Sequence, residues 1–184
     1  MKFPKIVLVF IFFIVLFILT KERYVSYLPT LSVYPDNIIE SKEVQEYANT
    51  PVNRSLFYET DESVTNAFVK IVPMTKSQLE DIITQPWIIC LLYGLKFSIN
   101  RARPYQVNDN IQPLKTSTGH TPAYPAGHAF QAYLLAKILS EQYPEKKEKL
   151  YTLAGKCDIC RIEAGIHYKS DGEFSRKLVD FFIQ

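Results

Sequence analysis

No stretch of this chain alternates apolar and polar residues with the two-residue period of a half-buried strand, whereas long stretches carry helix punctuation. The segment "TKSQLEDIITQPWIICLLYGLKFSINRARP" opens at Thr75, and either Thr75 or Ser77 can cap a helix there. Pro86 and Gly94 are positions for a kink or a split. Pro104 is expected to end the helix, because Arg103 before a proline is pushed out of the α region. Three more helical stretches follow, from Gly127 to about Gln142, Glu145 to about Ala164, and Asp171 to about Ile183. The polar loop "YQVNDNIQPLKTSTGHTPAYPAG" precedes them, and a loop that long inside a compact domain is more often functional than idle. The expected fold is all-α: a helical bundle with the site formed by loops and helix ends at one end, preceded by an N-terminal hydrophobic anchor.

A chain of 184 residues suits one core with an extension. Residues 1–23 read as a hydrophobic membrane anchor or signal segment, 24–75 as a linker with short helices, and 76–184 as the all-α core. The linker helices are expected around Ile38 to Tyr47 and within "DESVTNAFVKIV". The apolar run from Ile6 to Leu19 is short against the roughly 20 residues a spanning helix needs. Phe3, Pro4 and Thr20 extend it, and Lys5 can snorkel. Without a small-x-small cleavage site before Lys21, the reading is an uncleaved anchor through residues 3–20, holding the domain extracytoplasmic or lumenal. Cleavage would make the protein secreted. A formal net charge of +2 excludes a strongly basic nucleic-acid binder and leaves room for a local cationic pocket.

Cys157 and Cys160 form a CxxC in a helix interior with no companion ligands, so ordinary burial is expected and no metal site. Asn53-Arg54-Ser55 is a glycosylation sequon.

Three elements carry chemistry. Lys96 and Arg103, seven residues apart at the end of the long helix, would share one face and converge on an anion, although such a pair also reads as a solvated basic face. "YPAGHA" places Gly127 and His128 at the first turn of a helix, where free N–H groups favour an anion; the histidine can transfer protons, or cap or pack. In "CRIEAGIHYKSD", Arg161 precedes His167 and Asp171, and Asp171 can accept the Nδ1 proton of His167, leaving Nε2 as a nucleophile. Glu163 and Lys169 fall outside that spacing and read as surface charges.

In chain order, Lys96-x6-Arg103-Pro104, Pro125-x-Gly127-His128 and Arg161-x5-His167-x3-Asp171 resemble the three-part signature of the type 2 phosphatidic acid phosphatase and vanadium haloperoxidase superfamily. The resemblance covers about Lys76 to the end of the chain, and its compact acid-phosphatase branch is the nearest in form. Ala126 stands where that family usually has serine, and Cys160 where serine often precedes the arginine.

The resemblance implies a metal-independent phosphoric ester hydrolase without a cofactor, inhibited by vanadate. Lys96, Arg103, Arg161 and the Gly127 amide would cradle the phosphoryl oxygens. His167 would attack phosphorus, His128 would protonate the leaving oxygen, and Asp171 would hold the tautomer of His167. The implied substrates are small phosphomonoesters or lipid phosphates within reach of a tethered site. Two alternatives share these residues: a vanadate-dependent haloperoxidase, whose acid-base histidine lies in a stretch similar to "TPAYPAGHA", and a non-catalytic anion-binding protein of the same fold.

Overall fold

A computed structural model describes residues 34–183, which are all-helical, with no strand among them. The expected anchor lies outside the described residues. The chain enters α1 (Asn37–Asn49), whose Asp36 side chain caps the Ile38 and Ile39 amides, and continues into α2 (Arg54–Thr60) and the single turn α3 (Thr65–Phe68). These short helices do more than connect. Val44, Phe57, Val64 and Phe68 are buried, so the stretch expected as a linker contributes side chains to the core. The helix expected within "DESVTNAFVKIV" is only the single turn that starts at Thr65, and the acidic pair Asp61 and Glu62 precedes it.

The long helical signal is two helices. In α4 (Lys76–Ile83), Thr75 and Gln78 form a capping box, and α5 (Pro86–Ile99) starts at the expected break with proline in its first turn. Gly94 does not interrupt α5. The helix ends four residues earlier than proline alone implies, because Asn100 takes the left-handed conformation (φ 51°) and its N–H returns to the Lys96 carbonyl. Pro104 instead begins a short helix, α6 (Pro104–Val107), with Arg103 extended before it. Lys96 and Arg103 therefore do not share a helical face; the three non-helical residues Asn100, Arg101 and Ala102 separate Arg103 from the helix.

Three long helices follow: α7 (Gly127–Gln142), α8 (Lys147–Glu163), entered through a 3-10 turn at Pro144–Lys146, and α9 (Lys169–Phe182). Helix α7 packs chiefly on α8 and then on α9. Phe130, Leu134, Leu135 and Leu139 of α7 meet Leu150, Ala154 and Cys157 of α8 and Val179 of α9 in one core, which α4 and α5 close with Leu79, Ile83, Ile88 and Leu92. The CxxC cysteines are buried in α8, the Cys160 thiol donating to the Cys157 carbonyl at 3.2 Å, and burial pushes Cys160 up to about 11.

Among the described residues no single helix is long and apolar enough to cross a membrane. Lys76–Ile83 and Pro86–Val107 together reach that length and composition but are bent by 53°.

Candidate active site

The end of α8 aims the catalytic candidates. Glu163 is its last residue, Gly165 follows in the left-handed region (φ +72°), and two hydrogen bonds close the turn: Gly165 N–H to the Ile162 carbonyl at 2.9 Å and Ile166 N–H to the Arg161 carbonyl at 3.2 Å. This Schellman turn needs glycine at its positive φ and satisfies carbonyls at the helix end. The chain then reverses so that His167 arrives beside the start of α9. Asp171 sits in the first turn of α9, where a carboxylate suits the helix dipole, and accepts the Tyr168 N–H at 2.9 Å.

Asp171 Oδ2 is also 3.0 Å from His167 Nδ1. On the other side of the ring, Arg103 Nη1 is 3.1 Å from His167 Nε2. A carboxylate accepts and a guanidinium donates, so these partners define the tautomer: Nδ1 carries the proton and Nε2 the lone pair. Burial, and after it the charges of Arg103 and Lys96, hold His167 well below the usual histidine range, so the ring is neutral.

Arg103 is anchored by three further contacts, from Nε and Nη2 to the Thr121 carbonyl and from Nη1 to the Ile166 carbonyl. Lys96 is buried in the last turn of α5, where Nζ donates to the Pro122 carbonyl at 2.7 Å. Neither cation has a carboxylate partner among the described residues. Burial, then repulsion from Arg103, lowers the Lys96 ammonium well below its ordinary value. Two cations buried side by side favour an anion between them, and an anion would relieve that depression.

Both cations, with Gly127, His128 and His167, line one cavity of about 360 Å³. A Cβ on Gly127 would stand 3.9 Å from Lys96 Cε, in the space between that lysine and the start of α7. Ala126 precedes α7 and supplies no side-chain cap. It is fully buried, its N–H reaching the Asp171 carbonyl at 3.3 Å and its carbonyl accepting from Ser175 Oγ at 2.9 Å.

His128 Nε2 lies 3.1 Å from the Asp61 carbonyl, an acceptor only, so this nitrogen carries its proton. Burial, and then the charge of Arg161, push His128 down to about 3.

Arg161 does not line the cavity. It is fully buried behind it, donating through Nη2 to the Thr60 carbonyl at 2.6 Å and Thr60 Oγ1 at 2.9 Å, pairing with Asp61 at 3.5 Å, and leaving Nε without a partner. Asp171 likewise stands behind His167.

Four positions go beyond the sequence reading or against it. Asp61 ties α2 to the long loop by accepting from Thr116 Oγ1, the Ser117 N–H and Ser117 Oγ, and is held below the usual carboxylate range by the Thr116 and Ser117 hydrogen bonds and by Arg161, which outweigh its burial. Arg101 is buried against Asp171. His120 sits on the cavity rim. Glu163, expected on the surface, is buried, and accepts from the Asn53 N–H at 2.7 Å and Asn53 Nδ2 at 2.9 Å. Its place in the last turn of α8 turns it toward the start of α2, and it engages the asparagine of the sequon. Lys169 is exposed, as expected.

No protein-family model matches the chain. Over 110 residues, 58% of this chain, it is 27% identical to a non-specific acid phosphatase of Salmonella typhimurium. The chain covers 44% of that protein's length.

Proposed function

We propose that this chain is a metal-independent phosphoric ester hydrolase that works through a phosphohistidine on His167. The observation that carries the reading is the pair of contacts on one ring: Asp171 at Nδ1 and Arg103 at Nε2, inside a cavity with buried Lys96. The likeness to a non-specific acid phosphatase supports the reaction class. So does the order of the three motifs.

Lys96 and Arg103 contact the phosphoryl oxygens directly, with the Gly127 amide at the start of α7, while Arg161 adds positive charge from behind the wall. Charge on equatorial oxygens is what such cations stabilise in phosphoryl transfer. As the phosphate arrives, Arg103 Nη1 exchanges the Nε2 lone pair for a phosphoryl oxygen and frees the nucleophile. Nε2 then forms a bond to phosphorus as the P–O bond to the leaving alcohol breaks. Positive charge develops on His167, and the Nδ1–H bond to Asp171 stabilises it.

An ester bound as its monoanion passes its remaining proton to the neutral His128, which then gives that proton to the leaving oxygen. The bound phosphate opposes the cations that depress its basicity, so substrate raises its proton affinity. In the second half, water attacks phosphorus, its proton passes to His128, and the N–P bond breaks to release phosphate and restore the neutral ring.

The substrate is a small phosphomonoester or a lipid phosphate, and the chain is held at a membrane by residues 3–20. Turnover of p-nitrophenyl phosphate and of phosphatidic acid, with and without vanadate and with excess EDTA, tests the reading. Hydrolysis that survives the chelator and is blocked by vanadate is expected. Activity lost on chelation and restored by a divalent metal would overturn it.

A further inference from the structure

Behind Asp171 lies a buried network that the cavity does not touch. Arg101 is 0% exposed, yet every side of its guanidinium is engaged. Nη1 donates to Asp171 Oδ1 and to Ser170 Oγ, each at 2.7 Å. Nη2 donates to Glu40 Oε2 at 2.7 Å, and Nε to Asn37 Oδ1 at 2.9 Å. Its flat faces meet the rings of Tyr168 at 3.8 Å and Tyr34 at 4.4 Å. Glu40 in turn accepts the Ser170 N–H and Ser170 Oγ, both at 2.7 Å, which ties α1 to the first turn of α9.

A fully buried arginine shared by two carboxylates costs desolvation, and the fork geometry gives direction in return. Here the direction is specific. With Oδ1 held by Arg101, the other oxygen of Asp171 must face His167 Nδ1 and the Tyr168 amide. Burial works against the charge on Asp171, and Arg101 is the strongest opposing influence, with Lys96 also acting from α5. The other titratable groups facing Arg101 are Glu40, Tyr34, Tyr124 and Tyr168.

We propose that Arg101 and Glu40 are positioning residues for the nucleophile: together they orient the Asp171 carboxylate so that His167 keeps its proton on Nδ1 and its lone pair on Nε2. This rests on the phosphohistidine reading of the cavity. Helix α1, far away in sequence, thereby completes the chemistry of the C-terminal motif.

The test uses the full chain carrying Arg101→Gln, Arg101→Lys or Glu40→Gln, with folding checked by circular dichroism. For Arg101→Gln, kcat on p-nitrophenyl phosphate should fall about 100-fold while KM and inhibition by inorganic phosphate stay within about threefold, because geometry is lost and the phosphate cations remain. The acid limb of its kcat profile should move to higher pH, since Asp171 loses a neighbouring cation. Arg101→Lys should recover part of the loss and keep the wild-type acid limb. Glu40→Gln, which keeps the arginine and its carboxylate partner, should lower kcat about tenfold with KM unchanged.

Nitrogen NMR of His167 should show one tautomer in the wild type and a mixture in Arg101→Gln and Glu40→Gln. Wild-type kcat and a single Nδ1–H tautomer in either folded variant would overturn the proposal. Should Arg101→Gln fail to fold, Glu40→Gln decides by the same readings. The tautomer measurement does not depend on turnover, so an inactive wild-type protein would defeat the hydrolase reading while this test still stands.

Discussion

Arg103 Nη1 stands 3.1 Å from His167 Nε2, while Asp171 Oδ2 stands 3.0 Å from Nδ1 of the same ring. One partner can only donate and the other can only accept, so the two residues together place the lone pair on the nitrogen that faces the cavity cations.

Asp171→Asn should reverse that arrangement. Arg101 already donates to Oδ1 at 2.7 Å, so the amide oxygen of an asparagine would turn to Arg101 and its NH2 toward Nδ1. The ring would then have to carry its proton on Nε2, against Arg103. A loss in kcat of about 10⁴-fold is expected, by analogy with tautomer loss in a serine protease triad. Steady-state turnover of p-nitrophenyl phosphate checks it, and a loss below about tenfold would contradict the tautomer argument.

Stability should fall as the medium is acidified, through His128 and His167. Both are held below the ordinary value of 6.5, His128 at about 3, so the unfolded chain binds protons in that window that the native chain does not. Their contribution is intact above about pH 6.5 and is lost as pH falls toward 3. Urea denaturation at steps across this range should show the slope, and His128→Gln should flatten it. An unchanged slope in that variant would contradict the assigned cause.

Asp158 works in the opposite sense. It is buried in α8 with Oδ1 unpartnered, packed so closely on Gly172 that a Cβ there would overlap its carboxyl oxygens. Burial, with Asp171 and Glu173 nearby, pushes it up to about 7 from 3.8. The native state keeps its proton where the unfolded state has lost it, so this contribution is present below pH 3.8 and disappears as pH rises through about 7. Asp158→Asn should therefore raise the Tm most at pH 8 and by a smaller amount at pH 5, as thermal scans at the two values would show. Equal shifts at both would mean that ionisation is not the cause.

The motif residues were legible because each motif is local and its chemistry follows from spacing: His167 and Asp171 are four residues apart across the start of α9, and Gly127 and His128 open a helix. Their long-range partners were not. Arg101 meets Glu40 from 61 residues away and Asp171 from 70, and no periodicity encodes such pairs. A signal for Arg101 was nonetheless present, a second arginine in "RARP" that the motif leaves without a role. The all-α class and the helices from Gly127 onward followed from patterning. The early end of α5 did not, because Asn100 in the left-handed region outweighed proline as the terminator. Glu163 was misplaced because it falls outside the spacing of the motif and so reads as a surface charge, whereas the last turn of α8 carries it to Asn53.

Gly165→Ala should destabilise the chain and, through the turn, displace His167. Alanine would hold an unfavourable positive φ, and its Cβ would lie 2.6 Å from Ile111 Cγ2. A loss of about 1–3 kcal/mol is expected from the backbone alone, measurable by urea denaturation at neutral pH. Wild-type stability would show that the turn relaxes without cost.

The proposed mechanism requires covalent phosphate at one nitrogen, Nε2 of His167. Rapid quenching of the wild-type protein mixed with a ³²P-labelled ester, followed by peptide mapping, should recover an acid-labile, base-stable label on His167, blocked by vanadate and absent from folded His167→Ala. Turnover without a trapped label, together with near wild-type activity in His167→Ala, would contradict it.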